Sequence, residues 1–239
     1  FRDFTNELAF DEGMGNITTL DIRNDYLNMV KSSIDLGDRK VKVVYDCGNG
    51  TGSIIVKDIL DMFNIEYELL YCDSDPTFPN HHPDPCVHAN MKDLATKVKE
   101  LGYDLGIGID GDADRVGLVD QDGNIISTDL IMIIVYRYLS DKITNKKAIY
   151  DVKCSKALID ELDKLGYEHR MNRTGNSYQN RAINEGNYDF GGEYTVNWGT
   201  NFYAVYSDYA TVNFLSGVNK VTTHTDTPTI LYNTKWRIC

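Results

Sequence analysis

Short apolar runs alternate along the chain with stretches in which apolar residues recur every three or four positions. In the first half, three apolar runs predict buried strands, at residues Lys42–Asp46, 66–71 and Leu105–Ile109. The recurring apolar positions predict helices at residues 21–34, 53–63 and 90–101. Strands that alternate with helices are typical of a layered α/β domain with a mostly parallel sheet.

Three details of this pattern are specific enough to check. Ser53, which follows the glycine-rich loop 48–52, is expected to cap the second helix. Gly102 is expected to end the third helix. The apolar stripe of the first helix is expected to consist of Ile22, Tyr26, Val30 and Ile34.

The second half repeats the alternation after a polar segment at residues 140–147. Before that segment, a hairpin is predicted at residues 116–127 and a largely apolar helix from Thr128 or Asp129 to about Leu139. After it we predict a strand at 148–152, a helix at Lys156–Leu165, a strand near 169–172, a loop at 174–177 that opens a helix, and a turn at 191–193. We therefore expect two consecutive layered α/β domains, each with a mixed, mostly parallel sheet flanked by helices. Their predicted bounds are 21–140 and 147–239, with residues 1–20 as a linker or the remnant of an upstream part.

An acidic loop carries the chemistry of the first domain. Asp110, Asp112 and Asp114 alternate directly after the strand Leu105–Ile109, and Arg115 follows them. Two unit charges about 4 Å apart repel by about 4 kcal/mol at an effective dielectric of roughly 20. Three carboxylates on one loop therefore need a cation, and Mg²⁺ is the hard, oxygen-binding ion that fits them best. Asp and Gly also favour plain turns, but a turn does not require three acids and an arginine.

Two other loop motifs fit this segment less well. A calcium loop of the EF-hand type needs Gly at its sixth position and Glu at its twelfth, where Arg115 and Gln121 stand. The glycines at 106, 108 and 111 match a dinucleotide fingerprint. They lie on the strand itself, however, and the loop after them is anionic where a pyrophosphate would have to bind.

An aspartate-nucleophile phosphatase of the haloacid dehalogenase type is the serious rival interpretation. A strand followed by D-x-D suits it, with Asp110 as nucleophile and Asp112 as acid/base. That chemistry also needs a downstream lysine, for which Lys153 is a candidate, and a further acidic pair. No convincing acidic pair is found in the sequence.

Composition narrows the classes of partner. The 239 residues carry a formal net charge of −12, and 42% of them are hydrophobic. We expect neither nucleic acid nor an anionic membrane surface as a partner, because both demand basic patches. A phosphorylated metabolite remains compatible if a metal and a few basic residues are concentrated in one cleft.

The five cysteines form no C-x-x-C pair, and their number is odd. A disulfide framework and a zinc site are therefore not expected. Reduced thiols and a cytoplasmic location are the prediction. No apolar run reaches the length of a membrane span, and no signal peptide opens the sequence.

Five motifs, in order from about residue 20 to about 215, resemble the α-D-phosphohexomutases, the family of bacterial-type phosphomannomutases and phosphoglucomutases. The motifs are residues 43–52 (VVYDCGNGTG), 78–85 (FPNHHPDP), the acidic loop 110–115 (DGDADR), 151–155 (DVKCS) and 173–175 (RTG). The acidic loop is the most specific of them. The resemblance implies the second and third of four domains built around a cleft.

The resemblance also implies a reaction. In this family a phosphoserine of the first domain gives its phosphoryl group to a hexose phosphate, and the resulting bisphosphate reorients and returns the other phosphate. Phosphoryl groups thereby move between the 1- and 6-positions of the hexose. The implied partners of this chain are a hexose phosphate and the first and fourth domains.

The family's site residues carry over onto the matching positions. Asp110, Asp112 and Asp114 correspond to ligands of Mg²⁺, and Arg115 to a partner of the phosphoserine. Lys153 matches a lysine near the reacting phosphate. Glu193 and Thr195 match the sugar-recognition loop, in which a carboxylate accepts sugar hydroxyls. His81 and His82 have no metal-ligand spacing, and packing within a proline-rich loop is expected for both.

The chain departs from the family pattern in several places. The serine loop Thr-x-Ser-His-Asn-Pro is absent, so the chain alone is predicted to be inactive. Asn176 and Asn180 stand where the family usually has His and Lys. The sugar loop ends with Val196-Asn197 where the family has Gly-His. Asparagine cannot act as an acid or base near neutral pH.

Three hypotheses therefore stay open at this point. The chain is the central part of a phosphohexomutase, or a non-catalytic relative that retains phosphosugar or metal binding, or an aspartate-nucleophile phosphatase.

Overall fold

The fold was determined as a computed structural model, which describes residues 17–143, 145–186, 188, 190–194, 200–204 and 237–238. Within this part the chain forms one mixed sheet with helices packed on it. The strand order is β2-β1-β3-β4-β9-β8-β6-β7, with β5 paired to β4 and β10 paired to β9.

The first unit contains five strands and three helices. The strands are β1 (Lys42–Asp46), β2 (Glu66–Leu70), β3 (Leu105–Ile109), β4 (Val116–Asp120) and β5 (Ile125–Ile126). The helices are α1 (Arg23–Ser33), α2 (Val56–Met62) and α3 (Lys92–Leu101), with 3-10 turns at Thr51–Ile54 and His88–Met91. Strands β2, β1 and β3 are parallel, whereas β4 and β5 continue the sheet as antiparallel strands.

The second unit repeats this plan. It contains α4 (Thr128–Leu139), β6 (Lys147–Asp151), α5 (Lys156–Leu165), β7 (Glu168–Asn172), α6 (Asn176–Gly186), β8 (Phe190–Tyr194), β9 (Thr200–Ala204) and β10 (Arg237–Ile238). Strands β7, β6 and β8 are parallel, and β9 adds to β8 in antiparallel orientation. The pair Val116–Thr200 joins β4 to β9 and so connects the two halves of the sheet.

Helix α4 packs in the second unit. Its buried residues Ile131, Met132 and Tyr136 share one core cluster with Leu158 and Leu162 of α5. The helix therefore contributes its apolar face to the strand and helix that follow it. The predicted boundary at residues 140–147 stays a prediction.

Two glycines of β3 allow α3 and the 3-10 turn before it to lie close to the sheet. A Cβ added at Gly106 would stand 2.8 Å from Cγ2 of Val98, and one at Gly108 would stand 2.8 Å from Sδ of Met91. These glycines are therefore explained by helix packing. Because they contact helix side chains, they do not form a phosphate-binding turn, which agrees with the rejection of the dinucleotide motif.

Most predicted elements are confirmed, and three details are wrong. Ser53 lies in a 3-10 turn and its hydroxyl donates to the carbonyl oxygen of Gly50 at 2.6 Å, so it does not cap α2. The turn expected at residues 191–193 is part of strand β8. The stripe of α1 is buried only in its middle, since Ile22 and Ile34 at its two ends are exposed.

The prediction of reduced thiols is wrong for one pair of cysteines. Cys47 and Cys72 form a disulfide, with their Cα atoms 5.1 Å apart. The pairing follows from the sheet, because Cys47 comes directly after β1 and Cys72 lies just beyond the end of the adjacent parallel strand β2. The cytoplasmic location inferred from reduced thiols therefore loses that support. Cys86 and Cys154 are not part of a disulfide.

Among the described helices, none combines the length and the apolar character that crossing a membrane requires.

Candidate metal centre

Asp110 is the buried centre of the acidic loop. It follows β3, and only 1% of its surface is exposed. Its Oδ1 accepts the backbone N–H groups of Asp114 at 2.8 Å and Arg115 at 2.9 Å. Its carbonyl oxygen accepts the N–H of Ala113 at 3.1 Å, and Ala113 has a φ of +59°, so the loop turns back sharply on Asp110.

The three aspartates of the loop converge. Asp110, Asp112 and Asp114 each offer a carboxylate oxygen, and these oxygens lie within 4.8 Å of one another. Asp112 is exposed and Asp114 is half-buried, so the cluster opens toward solvent on one side. Three carboxylates and the guanidinium of Arg115 leave a formal charge of about −2 on the loop at neutral pH, which a divalent cation would neutralise. Oxygen-only donors of this kind suit Mg²⁺.

Burial dominates the titration of Asp110. It raises the pKa of this carboxyl group to about 6, and the neighbouring carboxylate of Asp112 adds to the increase. The backbone N–H and the positive charge of Arg115 act in the opposite direction. The ionised trio is therefore under electrostatic stress that a bound cation would relieve.

Arg115 joins the acidic loop to the proline-rich loop. Its Nε donates to Oδ2 of Asp110 at 2.8 Å, and its Nη1 donates to Oδ1 of Asp84 at 3.0 Å. Nη1 also lies 3.5 Å from Sγ of Cys86. Burial lowers the pKa of Arg115, but Asp110, Cys86 and Asp84 together raise it above its ordinary value, so the guanidinium stays charged.

The glycine-rich loop after β1 contacts the acidic loop directly. The backbone N–H and the hydroxyl of Thr51 both donate to the carbonyl oxygen of Gly111, at 2.9 and 3.1 Å. A Cβ on Gly50 would stand 2.7 Å from that same oxygen and 2.9 Å from the Cα of Gly111. Only a glycine at position 50 leaves room for this approach of two backbones.

The proline-rich loop is fixed to the same edge of the sheet. Nε2 of His81 lies 3.0 Å from Oδ2 of Asp46, which is buried at the end of β1. The hydrogen bond with Asp46 raises the pKa of His81, with burial acting against it. Nδ1 of His81 lies 2.9 Å from the carbonyl oxygen of His82, and its ring packs edge-on against Tyr71. These contacts serve packing, as expected for His81 from the sequence.

Lys153 lies in the second unit, two residues after the end of β6. Its Nζ is 3.5 Å from Oδ2 of the fully buried Asp151, an ion-pair distance, but it makes no hydrogen bond within the described part of the chain. The hydroxyl of Thr174 donates to the same carboxylate oxygen at 3.0 Å. The structure records no contact between Lys153 and the acidic loop among the residues it describes.

The sugar-recognition residues are only partly described. Glu193 lies on β8 opposite Asn201 of β9, and its side chain is outside the described part. Thr195 and Asn197 lie outside the described residues altogether. Asn176 begins α6, and Asn180 lies on the same helix.

Sequence reasoning missed the role of Asp84, which is 31 residues from Arg115. It also missed Asp46 as the partner of His81. In both cases the proline-rich motif was visible as a motif, but nothing in its spacing indicated which side chains it brings to the acidic loop.

Two family models match the chain. Residues 24–123 match phosphoglucomutase/phosphomannomutase alpha/beta/alpha domain II, and residues 127–225 match alpha/beta/alpha domain III. Together they cover most of the chain.

Curated relatives agree with these matches. The chain is 35% identical over 173 residues to a phosphomannomutase/phosphoglucomutase of Pseudomonas putida, which covers 72% of this chain and 37% of that protein. It is 37% identical over 169 residues to a phosphoglucomutase of Neisseria meningitidis serogroup A, covering 71% of this chain and 36% of that protein. The chain thus spans well under half the length of these relatives.

Solved structures show the same architecture. A phosphoglucomutase/phosphomannomutase family protein from Burkholderia thailandensis superimposes with a TM-score of 0.74 at 30% identity, covering 82% of this chain and 42% of that one. An N-acetylphosphoglucosamine mutase from Aspergillus fumigatus, solved in complex with GlcNAc-6P and magnesium, gives a TM-score of 0.55 at 16% identity, covering 80% of this chain and 41% of that one. The second match shows the fold alone.

Proposed function

Because the chain belongs to the phosphoglucomutase/phosphomannomutase family, we propose that it is the central part of a phosphohexomutase. This enzyme moves phosphoryl groups between the 1- and 6-positions of a hexose phosphate through a bisphosphate. The observation that carries the proposal is the acidic loop, in which three carboxylates converge within 4.8 Å beside a charged arginine.

The loop provides the metal site of the proposed enzyme. Asp110, Asp112 and Asp114 would hold Mg²⁺, and their oxygen-only chemistry and the net negative charge of the loop support that ion. A bound Mg²⁺ supplies charge neutralisation and polarisation of a phosphoryl group. Asp110 also orders the loop by accepting three hydrogen bonds.

Arg115 is proposed to bind the phosphoryl group next to the metal. A guanidinium recognises phosphate oxygens through paired N–H groups, and this one stays charged while partly buried. Phosphoryl transfer depends mainly on positioning and charge stabilisation, so a rigid cation at this place has a direct catalytic use.

The residues of the second unit receive roles by resemblance. Lys153 is proposed to lie near the reacting phosphate. Its buried Nζ makes an ion pair with Asp151 at 3.5 Å but no hydrogen bond within the described residues, which supports donation of its N–H groups to a phosphate oxygen. Glu193 and Thr195 are proposed to accept and position sugar hydroxyls. The phosphoserine and a further phosphate-binding loop would come from the first and fourth domains, so this chain alone is proposed to be inactive.

A phosphatase with Asp110 as nucleophile is less favoured. Both carboxylate oxygens of Asp110 accept hydrogen bonds from within the loop, and the side chain is 2% exposed. A nucleophile must present an oxygen in line with the phosphorus atom. The observed geometry suits a buried anchor and metal ligand better.

The test uses the complete natural reading frame that encodes this segment. Interconversion of glucose or mannose 1- and 6-phosphates should require Mg²⁺, should be lost in Asp112→Asn, and should persist in Asp122→Asn, which removes the same charge from a distant turn. Metal and phosphosugar binding without turnover would instead support a non-catalytic relative, which the asparagines at positions 176, 180 and 197 motivate. A covalent phosphoryl adduct on Asp110 would support the phosphatase.

A further inference from the structure

Two of the three nitrogens of the Arg115 guanidinium donate hydrogen bonds to carboxylates. Nε donates to Asp110, and Nη1 donates to Asp84 and approaches Sγ of Cys86. Nη2 makes no hydrogen bond with any residue that the structure describes. Of the five N–H groups of an arginine, those on Nη2 are thus left for another partner.

Asp84 is itself rigidly placed. Its side chain is 14% exposed, and its Oδ1 also accepts the backbone N–H of Cys86 at 3.0 Å. Its carbonyl oxygen accepts Nδ2 of Asn90 at 2.9 Å, and its N–H donates to the carbonyl oxygen of His82 at 2.8 Å. The carboxylate is therefore a fixed feature of the proline-rich loop, in contrast to a mobile surface acid.

Two carboxylates on separate segments define the plane of the guanidinium. With Asp110 alone, the group would still rotate about the bonds of its side chain while keeping the Nε contact. The second contact, from Asp84 to Nη1, removes that freedom and fixes the direction of Nη2.

We propose that Asp84 is a positioning residue that orients Arg115, so that Nη2 is presented to the phosphoryl group bound beside the acidic loop. The inference rests on the proposed function and extends it to Asp84, which lies 31 positions from Arg115 in the sequence. Asp84 does not touch the phosphoryl group. Its contribution is pre-organisation, because a guanidinium that is already aimed loses less freedom when phosphate binds.

The first experiment measures kinetics in the full-length protein. In Asp84→Ala, kcat should fall by about 10- to 100-fold, which is the cost expected for a misplaced catalytic group. KM and the affinity for Mn²⁺, used as a probe of the metal site, should change by less than about threefold. In Asp84→Asn, kcat should fall less than in Asp84→Ala, because the amide oxygen can still accept a hydrogen bond from Nη1. Asp122→Asn is the matched control for charge and should leave all values unchanged.

A double-mutant cycle separates orientation from general destabilisation. Arg115→Lys keeps the positive charge but cannot be held at two nitrogens. In that background Asp84→Ala should have little further effect on kcat, since there is no guanidinium left to orient. If the two losses multiply, or if kcat is unchanged in Asp84→Ala, the proposal is overturned. If Asp84→Ala folds poorly, the same cycle is measured with Asp84→Asn. Its smaller loss of kcat should likewise disappear in the Arg115→Lys background, and a loss that persists there overturns the proposal.

A binding measurement keeps this test independent of mutase activity. Inorganic phosphate, titrated into the Mn²⁺-loaded full-length protein, should bind several-fold more weakly in Asp84→Ala than in the wild type. If the wild type shows no mutase activity but this difference is found, the proposed function fails and the positioning role stands. Equal phosphate affinity in both proteins overturns the positioning role.

Discussion

The acidic loop of the first unit and the Lys153 turn of the second unit both follow a strand of the parallel part of the sheet, but they are built differently. The carboxylate of Asp110 accepts three hydrogen bonds from its own loop, and that loop contacts two neighbouring loops. Lys153 has an ion-pair distance of 3.5 Å to Asp151 and no hydrogen bond from its Nζ within the described residues.

The difference separates two kinds of functional residue. In the first unit the same side chains hold the fold and form the candidate site, so function and stability should be lost together. In the second unit the candidate residue contributes little to the local fold.

Asp110→Asn should produce the largest effect. It relieves carboxylate repulsion, but it places an amide NH2 group against Nε of Arg115, where Oδ2 now accepts a hydrogen bond. The guanidinium then loses one of its two carboxylate partners and faces a second donor, which should outweigh that relief and cost about 3 kcal/mol of unfolding free energy. Affinity for Mn²⁺ should fall by about 100-fold, because a ligand and the order of the loop are lost together. Denaturant unfolding and calorimetric titration measure the two quantities.

Asp122→Asn provides the control for Asp110→Asn, because it removes an exposed charge from the turn after β4. It should change stability by less than about 0.5 kcal/mol. If Asp110→Asn weakened metal binding without any loss of stability, the combined structural and functional role of Asp110 would be refuted.

Gly50→Ala should have the next largest effect, and it tests the contact between loops. A methyl group there would meet backbone atoms of Gly111 at 2.7 and 2.9 Å, so the two loops must separate. We expect a loss of about 2 kcal/mol in unfolding free energy and weaker Mn²⁺ binding. Gly37→Ala is the control, since nothing lies within 4 Å of the added Cβ. Unchanged metal affinity in Gly50→Ala would show that the acidic loop does not depend on its neighbour.

His81 gives the first unit a smaller, pH-dependent contribution. Its pKa is raised chiefly by the hydrogen bond to Asp46, with smaller contributions from the carbonyl oxygen of His82 and the charge of Asp93. A raised pKa in the folded state stabilises the protein below the unfolded value of about 6.5, and this stabilisation disappears as pH rises through the folded value. His81→Asn should therefore cost about 1 kcal/mol at pH 6 and much less at pH 9.

The control for this measurement is His82→Asn, which changes the neighbouring exposed histidine. The difference between pH 6 and pH 9 in His81→Asn is to be compared with the difference measured in His82→Asn. A loss in His81→Asn that grows with pH would contradict the assigned pairing with Asp46.

How far the sequence predicted these features depends on whether each one is local. The strand Leu105–Ile109 and its acidic loop were predicted correctly because the apolar run and the three aspartates are contiguous. The Cys47–Cys72 disulfide and the Asp84–Arg115 pair were not, because both join segments that only the sheet brings together. Two adjacent glycines predict a turn at residues 191–193, but pairing with the neighbouring strands makes residues 190–194 a strand.

Lys153→Met should have the smallest effect on stability and is the sharpest test of the comparison. Methionine keeps the length and apolar stem of lysine but removes an amino group that is buried without a hydrogen bond. The substitution relieves the desolvation of the amino group but leaves the buried carboxylate of Asp151 without its cation. That carboxylate keeps its hydrogen bonds from the N–H of Lys153 and the hydroxyl of Thr174, so the two effects should nearly cancel and the unfolding free energy should change by no more than about 0.5 kcal/mol. In the full-length protein the same substitution should greatly reduce mutase activity. A loss of stability comparable to that of Asp110→Asn would mean that Lys153 supports the fold as Asp110 does, and the distinction between the two units would no longer hold.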